Sequence, residues 1–203
     1  MMVICVLKKS NEYDIDYVEH LYAGVSKHLP RVPFRCISDV EGDFTPLKHD
    51  WPGWWCKMEL FRPDIKGDLL YFDLDTLIVG DLSEIASVGC FTMLSDFYHP
   101  ERLASGMMFL SERDRGAIWD EWIKSPQEIM SKYRGWGDGG FLNDIMPNAA
   151  RWQEVRPGQV VSYKAHVRKA ANTRETGAGA VPKDARVVCF HGNPRPRTLN
   201  WTP

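Results

Sequence analysis

The chain has 203 residues, of which 44% are hydrophobic, and this is enough to build one core. Its 25 basic and 27 acidic residues give a formal net charge of -2, which excludes a global positive field for nucleic acid or an anionic membrane. Any phosphate binding must therefore be local. We predict a single domain over residues 1–203.

The first residues, MMVICVLKKS, and the cysteines bear on the cellular location of the protein. The apolar run is far shorter than the roughly 20 residues of a membrane-spanning helix, and it lacks a cleavage site. The 5 cysteines include no pair at metal-finger spacing. We therefore expect a buried first strand, no transmembrane segment, reduced thiols and a cytoplasmic location.

Apolar runs alternate with segments of helical period, which predicts an α/β domain with a mostly parallel central sheet flanked by helices. The predicted strands are 3–7, 33–38, 69–72, 90–94, 106–110 and 186–190. The predicted helices are 14–29, 54–62, 113–123 and 138–146. Segment 164–182 is polar and glycine-rich, and we predict a flexible loop there. Such a loop is either a lid that closes over an anion or an ordinary solvated excursion.

Two aspartates follow the predicted strand 69–72, in the sequence YFDLDTLIV. Ligands of open α/β sheets collect beyond the carboxyl ends of the strands, which is where Asp73 and Asp75 lie. Carboxylates two residues apart can converge on one hard cation, with water and phosphate oxygens as its further ligands. The tripeptide alone is a weak signal, because structural carboxylates are also common in turns.

The segment VVCFHGNPRP near the carboxyl terminus combines a strand with residues suited to a phosphate site. His191 could supply a nitrogen ligand to the same cation, and Gly192 permits close approach of the backbone. Arg195 can make charge-assisted contacts to phosphate. Read alone, such a histidine is more often structural.

Two further segments carry small residues beside polar ones. In GWGDGGFLND, glycines that include Gly139 and Gly140 let the backbone pass close to a ligand, and Asp138 opens a helix. Asp138 is alternatively a simple N-cap. Ser105 and Gly106 lead into an apolar strand, which by itself proves nothing.

These four segments, in this order, resemble glycosyltransferase family 8 and its relatives, which include glycogenin and lipopolysaccharide galactosyltransferases and share the Rossmann-like GT-A fold. The family pattern is a strand ending in D-x-D, then N/S-G-V/M, GDQ-x-x-LN and H-F-x-G-x-x-K-P. Here LLYFDLDTLIVGDL, ASGMMFL, GDGGFLND and VVCFHGNPRP match it over most of the chain.

The resemblance implies a role for each matching residue. It implies a Mn²⁺ or Mg²⁺ ion held by Asp73, Asp75 and His191, and catalytic roles for Asp138 and Lys57. It also implies nucleotide and diphosphate contacts from Leu7, Lys8, Lys9, Asn11, Tyr13, Leu74, Gly192 and Arg195. The donor and acceptor pocket would include Ser105, Gly106, Gly139 and Gly140.

Two positions depart from the family pattern. Cys189 stands where the metal-binding histidine is most often found, and Gly139 stands where the family has glutamine. Because residues two apart on a strand share a face, His191 could take over the ligand role. Which of Cys189 and His191 faces the cation is open at this point, and so are the contacts to the donor sugar.

The implied activity is transfer of a sugar from a UDP-sugar to a hydroxyl of an unidentified glycan, lipid-linked or protein acceptor, with retention of configuration. One alternative is a haloacid dehalogenase-like phosphatase that uses Asp73 and Asp75. That family places its motif in the first strand and a threonine where this chain has Leu77. The other alternative is an inactive relative that binds a nucleotide or glycan.

Overall fold

The computed structural model describes residues 1–202. Its strands are β1 (Met2–Leu7), β2 (Phe34–Ser38), β3 (Thr45–Pro46), β4 (Leu69–Phe72), β5 (Thr76–Ile78), β6 (Thr92–Ser95), β7 (Leu103–Leu110), β8 (Ala150–Arg151), β9 (Val160–Ser162) and β10 (Val187–Cys189). Its α-helices are α1 (Ile15–His28), α2 (Ser83–Ala86), α3 (Glu112–Trp122), α4 (Pro126–Lys132), α5 (Asp138–Ile145) and α6 (Trp152–Val155). Single-turn and 3₁₀ segments cover Gly53–Phe61, Tyr163–Val167 and Pro196–Leu199.

Seven strands form the larger sheet, in the order β3-β2-β1-β4-β7-β6-β8. The first four strands in that order run parallel, and β8 is parallel to β6. Strand β7 lies antiparallel between β4 and β6. The sheet is therefore mostly parallel, as predicted, but an antiparallel strand borders the strand that carries the two aspartates.

The central strands are apolar at every position because both faces of the sheet are covered. Ile4 and Tyr71 pack into one hydrophobic cluster, whereas Val3 and Phe72 pack into the other. This alternation follows the two-residue period of a strand. The continuous apolar runs of the sequence thus reflect two cores rather than one.

Helix α1 covers one face of the sheet. Asp14 caps it by accepting a hydrogen bond from the amide of Asp16, and the buried residues Tyr17, Val18, Leu21 and Val25 form its inner stripe. The opposite face is covered by the segment 53–61 together with α3 and α5. Segment 53–61 is a 3₁₀ helix that ends just before Pro63, so its position was predicted correctly.

A second sheet, which the sequence did not predict, has three strands in the order β5-β10-β9. Strand β5 begins directly after Asp75 and pairs antiparallel with β10, so that Thr76 lies opposite Cys189. The amide of Phe190 donates to the carbonyl of Asp75 at 3.1 Å. This small sheet brings the carboxyl-terminal motif against the aspartates.

The segment predicted as a flexible loop, 164–182, is anchored to the rest of the fold. It begins in a π-turn over Tyr163–Val167, and Glu175 further along is buried. The Glu175 carboxylate accepts hydrogen bonds from Arg168 at 2.8 Å and from the hydroxyl of Tyr98 at 2.9 Å. In residues 1–202, no helix is both long and apolar enough to span a bilayer.

Candidate active site

Asp73 leaves the carboxyl end of β4 and lies in a cluster of polar side chains. Its Oδ1 accepts a hydrogen bond from the hydroxyl of Tyr71 at 2.5 Å and lies 2.9 Å from Nζ of Lys57. Tyr71 stands two residues earlier on β4, so both side chains point to the same face of the strand. The amide of Asp73 continues the strand pairing by donating to Gly106 at 2.8 Å.

Lys57 joins three polar groups of the site. Besides Asp73, its Nζ lies 3.2 Å from Oγ of Ser105 and 3.7 Å from Oδ2 of Asp138. Burial alone would lower the pKa of the Lys57 ammonium, but the carboxylates of Asp138 and Asp73 outweigh burial and raise this pKa. Lys57 therefore remains a cation throughout the physiological pH range.

Asp138, the first residue of α5, is buried, and its Oδ2 has no hydrogen-bond partner within residues 1–202. Burial raises the pKa of Asp138, and the charge of Lys57 opposes that effect. A buried carboxylate oxygen without a partner is costly, which makes it a candidate contact for a bound ligand. The N-cap alternative is not observed, because Gly137 occupies the cap position.

Asp75 faces a different set of partners from Asp73. Its Oδ2 accepts hydrogen bonds from the Tyr13 hydroxyl at 3.1 Å and from the Arg195 guanidinium. Burial, followed by repulsion from Asp73, raises the pKa of Asp75 to about 6. The two carboxylates are thus close enough to repel each other.

Arg195 and Tyr13 are held by the protein itself in this structure. The Arg195 guanidinium also donates to Glu12 at 2.6 Å, and it lies 5.2 Å from the centre of the Tyr13 ring. Tyr13 is one of the expected nucleotide contacts, and in this structure its ring lies under Arg195 and its hydroxyl binds Asp75.

His191 has partners other than the two aspartates. Nε2 of His191 lies 2.8 Å from Oγ of Ser162, and its ring stacks on Phe97 with centroids 5.8 Å apart. Burial, followed by the charge of Lys164, lowers the pKa of His191 to about 4. Within residues 1–202, no three histidine, cysteine or acidic side chains converge as metal ligands. The expected set of Asp73, Asp75 and His191 is therefore not assembled.

Of Cys189 and His191, Cys189 is the residue on which the charges of the two aspartates act. Burial raises the pKa of the Cys189 thiol, and the charges of Asp75 and Asp73 add to this effect. The reasoning that His191 shares the face of Cys189 fails because β10 ends at Cys189. Beyond that residue the chain no longer alternates, and Gly192 has a φ of 62°.

A cavity of about 250 Å³ opens beside this cluster. Seven predicted residues line it: Lys57, Asp73, Ser105, Gly106, Asp138, Gly139 and His191. Cys189, the alternative to His191 in the sequence analysis, also lines it. The cavity has further lining residues that the sequence reasoning did not assign to the site, namely Leu94, Asp96, Phe97, Tyr98, Leu103, Ala104, Trp136 and Phe190. Phe97 and Tyr98 follow the end of β6, so the strand-end argument used for the aspartates would have found them.

Several predicted nucleotide contacts lie elsewhere or have other partners. Leu7 and Leu74 are buried in the second hydrophobic cluster, and Asn11 is exposed. Nζ of Lys8 binds Asp50 and the carbonyl of Trp51, and the amide of Lys9 donates to Asp39 at 2.9 Å.

The glycines around α5 have a packing role. A Cβ on Gly139 would lie 3.3 Å from the Leu103 carbonyl, and a Cβ on Gly140 would lie 3.0 Å from the rings of Trp136 and Tyr133. The small size of Gly139 lets α5 approach β7 closely, and that of Gly140 leaves space for Trp136 and Tyr133. Of the two, Gly139 also lines the cavity.

No protein-family model and no curated protein sequence matches the chain. Solved structures of glycosyltransferases do match its fold. An active-site mutant of LgtC is 11% identical with a TM-score of 0.63, and the match covers 97% of this chain and 89% of LgtC. Another LgtC structure is described as the galactosyltransferase in complex with donor and acceptor sugar analogues, with a TM-score of 0.59.

Two larger glycosyltransferases are also similar. The bifunctional glycosyltransferase WbbM is 11% identical with a TM-score of 0.63, and the match covers 96% of this chain and 46% of WbbM. GlyE of Streptococcus pneumoniae TIGR4 is 12% identical with a TM-score of 0.55, covering 74% of this chain and 44% of GlyE. The chain thus has the fold of glycosyltransferases, which confirms the predicted GT-A-like fold.

Proposed function

We propose that this chain is a metal-dependent glycosyltransferase of the family 8 type, which moves a sugar from a UDP-sugar to an acceptor hydroxyl with retention of configuration. The observation that carries the proposal is the convergence of Asp73, Lys57 and Asp138 on one cavity at the carboxyl end of β4. This convergence occurs in a fold shared with enzymes that transfer sugars. The acceptor is a glycan, lipid or protein hydroxyl of unassigned identity.

The donor set suits a hard divalent cation. Asp73 and Asp75 repel each other, and a cation between them would remove that repulsion. Carboxylate oxygens are the ligands that Mn²⁺ and Mg²⁺ prefer. In the proposed complex Asp73 and Asp75 would hold the ion. The ion would neutralise charge that develops on the departing diphosphate.

The residues of the chain supply the rest of the chemistry. Lys57 places a permanent positive charge between Asp73 and Asp138, where it can attract the diphosphate and stabilise its growing charge. Arg195, which forms an ion pair with Asp75, can also attract the diphosphate and stabilise its growing charge. Asp138 either stabilises a positively charged sugar centre, orients the acceptor or attacks the donor. Gly139 leaves the donor sugar without the glutamine amide of the family.

The two alternatives make different products. With Mn²⁺ present, a transferase would release UDP from a UDP-sugar. A phosphatase would leave the UDP-sugar intact, because it has no terminal phosphate, but would liberate inorganic phosphate from a phosphomonoester such as p-nitrophenyl phosphate. A binding module would release neither product. The phosphatase alternative has no support from the fold, because the similar structures described above are glycosyltransferases.

The metal proposal is tested by calorimetric titration of UDP in the presence and absence of Mn²⁺. We expect Asp75→Asn to abolish the metal-dependent part of UDP binding while the circular dichroism spectrum stays unchanged. Asp184→Asn removes an exposed carboxylate that has no role in the site, and it should bind like the unmodified protein. Unchanged Mn²⁺-dependent binding by Asp75→Asn would refute the assignment of Asp75 as a ligand.

A further inference from the structure

Lys164, which lies in the segment predicted as a loop, stands beside the terminal motif. Its Nζ is 3.2 Å from the place that a Cβ on Gly192 would take. Gly192 follows His191, which lines the cavity, and Arg195 is three residues further along. An ammonium group, a backbone without a side chain and a guanidinium group therefore share one edge of the candidate site.

The turn that carries Lys164 is fixed to this edge. Oγ of Ser162 accepts a hydrogen bond from the amide of Ala165 at 3.1 Å and contacts Nε2 of His191 at 2.8 Å. The amide of Arg168 donates to the carbonyl of Tyr163 at 2.9 Å, which closes a π-turn. Such turns are frequent at functional sites. The backbone under Lys164 is thus held in place before any ligand arrives.

The positive charge of Lys164 is not neutralised by an ion pair within residues 1–202. Among the ion pairs of residues 1–202, Arg195 is bound to Asp75 and Glu12, whereas no carboxylate pairs with Lys164. Glu175 acts on Lys164 from a distance, but its carboxylate is bound by Arg168. Burial, followed by the charges of Arg168 and Arg195, lowers the pKa of Lys164. A cluster of cations with an unmatched charge attracts an anion.

We propose that Lys164 binds the diphosphate of the donor, beside Gly192 and Arg195, as a basic contact additional to Lys57. The proposal rests on the proposed transferase function. A diphosphate suits this edge because Gly192 leaves room for phosphate oxygens near the backbone, and because ammonium and guanidinium groups both make charge-assisted hydrogen bonds to them.

The test compares UDP binding by calorimetry, with Mn²⁺ present, among variants of the full chain. Lys164→Gln and Lys164→Met should each weaken UDP binding by about tenfold, the loss of one charge-assisted hydrogen bond. Lys164→Arg should keep most of the affinity, because it keeps the charge. Lys183→Gln is the matched control, since it removes the same charge from an exposed side chain. Inorganic pyrophosphate as a competitor should lose affinity for the same two variants.

The outcomes separate the two proposals. Suppose that the unmodified protein binds UDP, and that Lys164→Gln and Lys164→Met bind it with affinities within about twofold of that of the unmodified protein. The role of Lys164 is then refuted, and the transferase proposal stands. If Lys183→Gln weakens binding as much as Lys164→Gln does, the effect is one of overall charge and the inference is also refuted. If the unmodified protein binds no UDP, the proposed function fails and takes this inference with it.

Discussion

Replacing Lys57 by methionine removes a cation that lies between Asp73 and Asp138. The Lys57 side chain is only 14% exposed, and that of Asp138 only 7%. Loss of the ammonium leaves Asp138 as a buried carboxylate without an opposite charge nearby. Breaking a buried pair in this way costs about 3–5 kcal/mol in the free energy of unfolding.

We expect the lower end of that range, about 3 kcal/mol, for Lys57→Met. Asp73 remains 28% exposed and keeps its hydrogen bond from Tyr71, so it tolerates the loss better than Asp138 does. For a chain of this size, about 3 kcal/mol corresponds to a fall in Tm of roughly 6–12 °C. Urea unfolding followed by tryptophan fluorescence measures the free energy directly, and Lys66→Met, at an exposed position, serves as the control.

A double variant tests the cause of the loss. Asp138→Asn in the Lys57→Met background removes the unpaired charge. The free energy of unfolding of the double variant should therefore exceed that of Lys57→Met by about 1 kcal/mol or more. The reasoning is wrong if Lys57→Met loses less than about 1 kcal/mol, or if the double variant is no stabler than the single one.

Other predictions concern the surroundings of the site. Gly137→Ala should lower the free energy of unfolding by about 2 kcal/mol, because the φ of Gly137 is +72° and a Cβ there would lie 2.7 Å from Nε1 of Trp54. Gly135→Ala is the control and should have little effect, because a Cβ at Gly135 would have nothing within 4 Å. His191 should stay neutral at pH 5.5 in an NMR titration, since its pKa is lowered to about 4. The neutral ring therefore contributes fully to stability above pH 6.5, the ordinary pKa of histidine, and this contribution is lost as the pH falls through 4. A resonance of His191 that titrates near 6.5 would contradict this. The pKa of Glu175 is lowered from 4.5 to about 2, chiefly by its hydrogen bond with arginine, so its contribution is present above pH 4.5 and is lost as the pH falls towards 2. At pH 3, amide hydrogen exchange in segment 164–182 should therefore be faster than the pH dependence of the intrinsic exchange rate explains. Glu175→Gln should likewise speed exchange in this segment at pH 7.

The local elements with strong patterns were predicted correctly from the sequence. The apolar runs of β1 and β4 predict buried strands, and the helical period over 14–29 predicts α1. Asp73 and Asp75 were placed correctly at a strand end for the same reason. The order of the four motifs was enough to predict the glycosyltransferase fold that the structural similarity confirms.

Strands β5 and β9 could not be predicted in this way, because they have three residues each and no period is visible in them. Strand β10 was predicted at 186–190, but not its pairing with β5 and β9, which joins segments far apart in the chain. That pairing places Cys189 opposite Thr76, the residue after Asp75, whereas His191 lies beyond the end of the strand. The sequence offered both residues, and only the end of β10 distinguishes them.

The sequence by itself determined which groups carry charge and which runs must be buried, because composition and strand or helix period act locally. Only the tertiary structure decided which charges meet. Lys57 reaches Asp73 and Asp138, and Arg195 reaches Asp75, from which it is 120 positions away in the chain. The physical reason is that an ion pair depends on distance in space, which the packing of the two sheets sets and which no local pattern encodes.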